Sequence, residues 1–527
     1  MSEPHPRRRV LPRAVCCGLL AAVAFVAAAA AEELELPPDP PPLAAAAEEI
    51  TEEAVLERLV RGSPDLARVR LGLRERASER RGVDGSWDPV LGAELGVTNA
   101  RTPVAQGITR GIARSERYEL STSLSQRFRP GTVASLSLSN AMSRSSVPIR
   151  LEGFSDRIEQ GPDLEVGVTL SVTQPLLQGG GRRVNTLPER LADLRQSGEL
   201  LVLGREASVR ATEALVALRE LQFAVETHEV RRRSLARSRE QLAQAEALVA
   251  GGRMAAAELD IGRQRIAAGL EALIAARGTV EQRSDQLRRL LGEAPGRGRL
   301  LPGGVGAPRA RGVEEAEEAC RVAELASPDL LAVQAQVEQA RLAAVGAEDP
   351  LRPRLDATAA VTQAGLDDRY GGAWGELVRF QARTLFAGLV FSMPLGNRAA
   401  EEERVRAELA IERAELERDA LRRALCHEAT DLLRQAALLA EREELAALRV
   451  TLASRAVAAE SARFERGLGT VQQGLEAMEA LEEAELGLVR VRTDRALVAL
   501  QLDHLLGVTL VERLGAADLV QAGRGEP

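Results

Sequence analysis

Along most of this chain the apolar positions recur at helical spacing, and in two stretches they switch to alternation. Residues 48–81 and 314–346 carry Ala and Leu at intervals of three and four among Arg and Glu, which predicts amphipathic helices. After Pro89 and again after Pro353 the pattern switches to alternation, as in Glu119-Leu-Ser-Thr-Ser-Leu-Ser and Val133-Ala-Ser-Leu-Ser-Leu-Ser. Leu164, Val166, Val168, Leu170 and Val172 close the first such stretch and Leu385 to Met393 the second, so strands are expected over about 88–174 and 353–393. Pro175 and Pro394 then form strand-to-helix junctions, because a residue without an N–H ends a ladder or sits at its edge. Helical spacing returns over about 187–250 and 398–464, on the order of 95–100 Å in each case. Gly251-Gly252 and Gly467-Leu-Gly469 interrupt it as turns or C-caps, and shorter helices of about 50 Å run on to Leu291 and Leu506.

The two halves repeat each other in order. Ser-Pro-Asp-Leu stands at Ser63–Leu66 and at Ser327–Leu330, and at the same offset of 264 Pro89-Val-Leu-Gly-Ala aligns with Pro353-Arg-Leu-Asp-Ala. Gln174-Pro175-Leu176 and Met393-Pro394-Leu395 lie 219 apart; Gly252 and Gly467, then Leu290-Leu-Gly and Leu505-Leu-Gly, lie 215 apart. The lost residues place an insertion between Thr98 and Pro175. It contains Tyr118–Phe128 and Thr132–Met142, joined by the turn Arg129-Pro-Gly131. This gives a first repeat over 48–292, a Pro/Gly-rich linker over 293–312, a second repeat over 313–508 and a tail over 509–527.

Length adds a closure condition. A helix of about 65 residues answered by one of about 35 leaves half the return uncovered. The helix 314–346 is expected to supply it for the first half, and the N-terminal helix 48–81 for the second.

Arg7-Arg-Arg9 and Arg13 precede an uncharged run from Ala14 to Ala31, so residues 1–31 are expected to be a secretory signal peptide, followed by a Pro/Ala-rich linker over 32–47. Cys16 and Cys17 would leave with it. No later stretch is long and apolar enough for a membrane helix, so any crossing must be a closed β-barrel. Small polar residues on one strand face and aliphatic ones on the other suit a wall between water and lipid, and equally a half-buried soluble sheet. Aromatics are only 2% of the chain, which fits long helices meeting through small side chains better than globular cores. The net charge is −8 and all 69 basic residues are Arg, which shows no footprint for nucleic acid and excludes chemistry that needs a Lys amine.

Candidate chemistry thins out on inspection. His228 and Cys426-His427 have no second Cys/His pair at ligand spacing and read as exposed helix residues rather than metal ligands. Arg231–Arg233 and Glu401–Glu403 read as solvated faces. Gly179-Gly-Gly181 lacks the Gly-Lys-Ser/Thr of a phosphate loop and reads as a junction needing open backbone angles. Neither catalytic residues nor cofactor sites are expected. Glu258, Asp260, Glu476 and Glu479 near the helix breaks are the carboxylates of interest. Cys320 lies about 30 residues before the strands and Cys426 about 32 after Pro394, so both fall roughly 45–50 Å from the strands. Matched depth permits a disulfide, but helix rotation decides between a bond and two free thiols.

Leu170-Ser-Val-Thr-Gln-Pro-Leu-Leu-Gln-Gly-Gly-Gly-Arg resembles the strand-to-helix junction of the TolC family of outer-membrane efflux proteins. Arg463-Phe-Glu-Arg-Gly-Leu-Gly-Thr followed by Leu475-Glu-Ala resembles its periplasmic hairpin. The resemblance covers about 48–508. It implies a mainly α chain with membrane β-strands: a homotrimer whose transmembrane β-barrel continues into an α-helical barrel through the periplasm. It implies a non-enzymatic exit duct of a tripartite efflux pump or type I secretion system, in contact with outer-membrane lipid and opened by a periplasmic adaptor and an inner-membrane pump. Few strands per chain support several copies independently, since only closure removes sheet edges. The tips at 251–257 and 466–473, with Gly251, Gly252, Arg466, Gly467, Leu468 and Gly469, are expected to meet the adaptor. Where the family often carries two carboxylates at its periplasmic mouth, this chain has Gln473 and Glu476, so one acidic ring is expected. The family takes four strands per protomer, and the insertion raises that to six if its hairpin joins the wall. A periplasmic coiled-coil scaffold or adaptor without a barrel is the alternative if the alternating segments are soluble.

Overall fold

A computed structural model describes residues 38, 40–43, 47–106, 109–151, 154–296, 298–304, 315–380, 382–466 and 468–509. The expected signal peptide, most of the linker after it, part of the linker 293–312 and nearly all of the tail lie outside the described residues. The chain divides into two units, one holding residues 222–283 and 443–491, the other 49–221, 284–442 and the residues after 491.

The larger unit is built on an antiparallel sheet of β2 (Val90–Gln106), β3 (Thr109–Arg127), β4 (Val133–Leu151), β5 (Phe154–Pro175), β7 (Arg354–Asp367) and β8 (Ala382–Ser392), in that order. A separate two-stranded ladder joins β1 (Ala47–Ile50) to β6 (Arg299–Pro302). The inserted hairpin is therefore part of the same sheet: β3 and β4 pair from Arg127 with Val133 onward, around the turn that Pro130 and Gly131 make. Register sorts the faces. Leu91, Leu124, Leu136, Leu170, Val361 and Leu385 fall in one row across all six strands, while Ser123, Ser137, Thr169 and Thr362 share a row on the other face. The polar face is cross-linked by hydroxyls, with Ser135 and Ser171 2.6 Å apart, Thr169 and Thr362 3.1 Å apart, and Thr173 and Thr358 3.3 Å apart.

The span 353–393 is not strand throughout, as the alternation suggested. Between β7 and β8 the chain forms a helix, Tyr370–Val378, that lies on the apolar face of the sheet and buries Ala373 and Leu377 against Val166, beside Leu138 and Val168. Gly365 makes the approach possible: a Cβ there would run into the Ala373 carbonyl. Packing, not propensity, makes this helix, since three of its nine residues are Gly.

The helices of this unit follow matching lengths. α1 (Glu52–Gly62, 11 residues) and α2 (Pro64–Asp84, 21 residues) meet at Ser63; α5 (Ala316–Ala326, 11 residues) and α6 (Pro328–Glu348, 21 residues) meet at Ser327. Both serines are buried, with nearly equal backbone angles, and in both places Pro begins the second helix where its missing N–H costs nothing. Residues of α3 (Leu187–Ala250) and α8 (Arg398–Glu465) run beside them: Arg195 pairs with Glu79 at 2.9 Å, Arg341 with Glu415 at 2.6 Å. Helices α4 (Ala257–Leu290) and α9 (Val471–Leu505) end in this unit.

Their ends correct the closure reading. Leu291 and Gly292, at the end of α4, abut Gly62 of the first half rather than the helix 314–346, and Gly507, at the end of α9, abuts Ala326 rather than the N-terminal helix. Arg58 reinforces the first contact through Glu293 at 3.2 Å, and the α9 residue His504 reaches Asp329 of α6 at 3.7 Å. Each half thus completes its own ascending strut. Among the described residues no helix is long and apolar enough to cross a membrane.

In the smaller unit α3 and α4 pack through heptad-spaced residues. Leu235 and Leu242 join Ile266, Leu270 and Leu273 in one cluster. Gly262 and Gly269, also seven apart, let the leucines in: a Cβ would stand 2.9 Å from Leu242 Cδ1 at the first and 3.1 Å from Leu235 Cδ1 at the second. A second cluster gathers Ala245, Phe464, Val471 and Leu475 under the helix breaks.

Candidate functional site

Both helix breaks lie in the smaller unit and are built by capping. At the first, Gly252 N–H bonds the Val249 carbonyl at 2.9 Å and Arg253 N–H the Leu248 carbonyl at 2.9 Å, with Gly252 at φ +72°. That is a Schellman cap, which needs a left-handed residue and so selects glycine. Gly251 and Gly252 are both exposed. At the second break Leu468 N–H bonds the Arg463 carbonyl at 2.9 Å, Arg466 and Leu468 are exposed, and Gly469 lies close against Phe464, which is buried. Gly467 lies outside the described residues.

The return helix α9 begins two residues earlier than the expected tip ended, because Thr470 and Gln473 cap it reciprocally. Gln473 N–H bonds Thr470 Oγ1 at 3.3 Å, and Thr470 N–H bonds Gln473 Oε1 at 3.2 Å. Gln473 is thereby given a structural task. Glu476, one turn on, is exposed and accepts a hydrogen bond from Gln472 at 2.9 Å. Of the other carboxylates, Glu479 is engaged by Arg265 at 2.8 Å, and Asp260 has Arg263 at 3.7 Å.

What the sequence did not reveal is the polar cleft these helices share. Arg265 also reaches Glu482 at 3.1 Å, Glu482 accepts from Ser234 Oγ at 2.6 Å, Arg237 meets Glu485 at 3.1 Å, and Arg231 donates to the Ala272 carbonyl at 2.8 Å. Ser234 and Ser238 are buried there. These partners stand far apart in the chain, so no local motif announces them. Arg231 therefore leaves the solvated run that Arg232 and Arg233 keep. The guanidinium of Arg232 bonds Glu229 and holds its carboxyl below the usual range, against some opposing desolvation. His228 is buried, which corrects its reading as an exposed residue; His427 and Glu401–Glu403 are exposed.

A glycine one turn into α9 is equally constrained: a Cβ on Gly474 would coincide with the Gln241 amide, which is buried and donates to the Val471 carbonyl at 3.2 Å. Gly474→Ala is expected to displace Gln241 and cost about 1–3 kcal/mol, the usual range for overpacking. Faster protease cleavage between 466 and 480, compared with Gly487→Ala, where the structure leaves open space, would register it. Equal cleavage would show that the contact yields freely.

The junctions of the larger unit converge on one turn. Pro175 is the last residue of β5, and Pro394 follows β8 by two residues and is exposed. Gly179 and Gly181 (φ +74° and +93°) turn the first junction, Gly396 (φ +95°) and Asn397 the second. Gly179 N–H bonds Asp349 Oδ2 at 2.8 Å and Asn397 Nδ2 the Pro350 carbonyl at 3.0 Å, so both junctions lean on the 3-10 turn Asp349–Leu351. The Gly-rich run is a backbone device, as expected.

Deeper in this unit Cys320 of α5 and Cys426 of α8 are joined, with Cα atoms 4.7 Å apart. Glu324 stands beside them, three potential ligand atoms lying within 4.8 Å, but sulfurs bonded to each other offer no thiolate to a metal. Ser208, His504 and Asp329 form a file, Ser208 Oγ 2.8 Å from His504 Nδ1 and Asp329 3.7 Å from Nε2. Ser208 is wholly buried and in no position to attack a substrate. Burial lowers the His504 pKa against the pull of Asp329 and Glu428, which suits a neutral ring that accepts or donates one hydrogen bond.

The described residues thus hold one six-stranded sheet, two capped helix breaks and long helices. Residues 320–508 match the outer membrane efflux protein family. Among solved structures the fold is similar to a membrane protein from Pseudomonas aeruginosa (16% identity over 86% of this chain and 90% of that one, TM-score 0.62) and to the outer membrane protein VceC from Vibrio cholerae (16%, 86% and 96%, TM-score 0.60). It is also similar to the CmeC outer membrane channel of Campylobacter jejuni (12%, 90% and 89%, TM-score 0.61). At these identities the likeness concerns the fold. A search of curated proteins finds no significant sequence match. The family match covers residues 320–508 and the fold likeness most of the chain, and both point the same way as the motifs that resemble the TolC family.

Proposed function

We infer that this chain is the outer-membrane channel subunit of a tripartite efflux pump or type I secretion system, and that three copies close one pore. The observation that carries the reading is the sheet. Its outer strands, β2 and β8, have no partner strand on their outer edges among the described residues, with Leu91, Leu95 and Val97 exposed on one and Leu385, Leu389 and Phe391 on the other. Such edges are stable only when paired, and β8 of one copy joined to β2 of the next removes them all. The Ser/Thr face then lines water and the aliphatic face meets lipid. The helix Tyr370–Val378 rides on the lipid side, where Tyr370 and Trp374 offer the amphipathic rings that favour membrane interfaces. Matched helix lengths, 64 and 68 residues descending, 34 and 35 returning, support an internal duplication that lets six helical hairpins from three chains ring one duct through the periplasm.

The test is heat-modifiable migration in detergent together with fractionation. Recovery with the outer membrane and a mobility change on boiling are expected; extraction as a soluble protein without that change would sink the reading and favour the scaffold alternative.

In this reading the capped tips at Gly251-Gly252 and Arg466–Gly469 dock the adaptor, because they are the breaks in otherwise continuous helices. Glu476 from three chains forms an acidic ring at the entrance, where clustered carboxylates hold cations. Glu476→Gln is expected to weaken block of single channels by multivalent cations added from the helical side. Unchanged block would place Glu476 off the pore.

A further inference from the structure

The first four strands are much longer than a membrane requires, and their outer ends carry a charge pattern that the duct does not explain. β2 to β5 run 17, 19, 19 and 22 residues, against 14 and 11 for β7 and β8. About 9–11 residues of tilted strand suffice to cross. On the aliphatic face the last apolar row away from the helices is Val97, Tyr118, Met142 and Leu164. Measured on β5, the apolar stripe from Leu164 to Val172 covers about 27 Å of strand, or about 20 Å upright at a 40° tilt, close to the belt of a membrane barrel.

Beyond that row the same face turns basic. The next row holds Asn99, Glu116 and Arg144, and the one after it Arg101, Arg114, Ser146 and Glu159. Arg101 and Arg114 are direct cross-strand partners, an arrangement that repels unless an anion lies between them. Arg110 continues the patch toward the hairpin tip. All four arginines are exposed, and none has a side-chain hydrogen bond or ion pair among the described residues. Glu116 and Glu159 are the acidic residues of these rows, so the patch keeps a positive balance.

We propose that Arg101, Arg114 and Arg144 form a collar that binds the phosphate of a lipid headgroup in the outer leaflet. The inference rests on the outer-membrane reading above. The collar starts two residues past the apolar row and extends to four, about 7 and 14 Å along tilted strands, which is where headgroup phosphates lie. Guanidinium groups suit the site because each offers a phosphate two parallel N–H donors, and because Tyr118 just below them seats the ring-and-headgroup boundary. The shorter β7 and β8 end near the boundary, so the longer strands alone carry the collar.

The experiment inserts the full chain into phosphatidylcholine vesicles with and without phosphatidic acid, whose headgroup is a bare phosphate, and counts lipids retained through detergent by native mass spectrometry. Selective retention of phosphatidic acid is expected, weakened on the order of a hundredfold in R101Q/R114Q/R144Q, since three surface cations each lose an anionic contact. Normal insertion of wild-type protein with no preference for phosphatidic acid would overturn the collar and leave the channel reading intact; so would competition by inorganic phosphate at equal concentration, or full retention by an inserted variant. Failure of the wild-type chain to insert into either vesicle would bring down both. Should the variant not insert, the wild-type comparison still decides.

Discussion

Replacing Gly507 with valine is expected to leave almost no assembled protein in the outer membrane. Gly507 stands at φ +72°, and a Cβ there would lie inside van der Waals reach of the Ala326 carbonyl, 3.0 Å from its carbon and closer still to its oxygen. Left-handed backbone costs a β-branched residue roughly 1–3 kcal/mol, and forcing two helix ends apart adds a similar amount. Backbone meets backbone at this contact, so no side chain can swing aside. Gly292 repeats the geometry against Gly62 at φ +74°, and its valine variant is expected to behave the same way. Gly252 supplies the control: its φ is also +72°, but nothing stands near its Cβ position. Gly252→Ala keeps the strain and lacks the collision, so its yield of heat-modifiable oligomer should fall only slightly. Equal yields from Gly507→Val and Gly252→Ala would show that the helix ends are not in register-critical contact.

That contact also marks where the sequence stopped being readable. Helix periodicity and glycine placement delimited the long helices to within a residue or two, because a Schellman cap demands a glycine at a fixed place. Alternation found the strands, and the Arg129-Pro-Gly131 turn found the added hairpin, because both signals are local. The end-to-end joints at Gly292 and Gly507 meet Gly62 and Ala326, partners other than those expected from the sequence. Helix lengths require a missing half-strut but fit either candidate equally well, and only three-dimensional contact distinguishes them. The helix Tyr370–Val378 was invisible for the opposite reason: its glycines speak against a helix, and the packing of Ala373 and Leu377 on Val166 overrides them. At the tips, the same capping logic that exposed the breaks hid the role of Gln473, whose side chain matches a family position while serving its own helix.

Cys320 and Cys426 were matched in depth by sequence, and the geometry supplies the rotation. With Cα atoms 4.7 Å apart, the pair ties α5 to α8 across a separation of 106 residues. In the chain-entropy account, closing a loop of that size stabilises the fold by about 4–5 kcal/mol. The neighbouring ion pair adds little: Arg422 and Glu324 are 3.7 Å apart and about half exposed, and exposed pairs contribute under about 1 kcal/mol. At the repeat offsets, Cys320 corresponds to Leu56 and Cys426 to Ala207, both buried, so the first half fills with apolar side chains the place that the second half bridges covalently. Cys320→Ser with Cys426→Ser is therefore expected to lower the temperature at which oligomers dissociate, whereas Glu324→Gln should barely move it. The double variant Cys320→Leu with Cys426→Ala should recover part of the loss, because it restores the first half's solution. Intact-mass measurement after alkylation provides the direct reading. The native chain should take no alkylating groups until it is unfolded and reduced, and two alkylated thiols before reduction would end the idea.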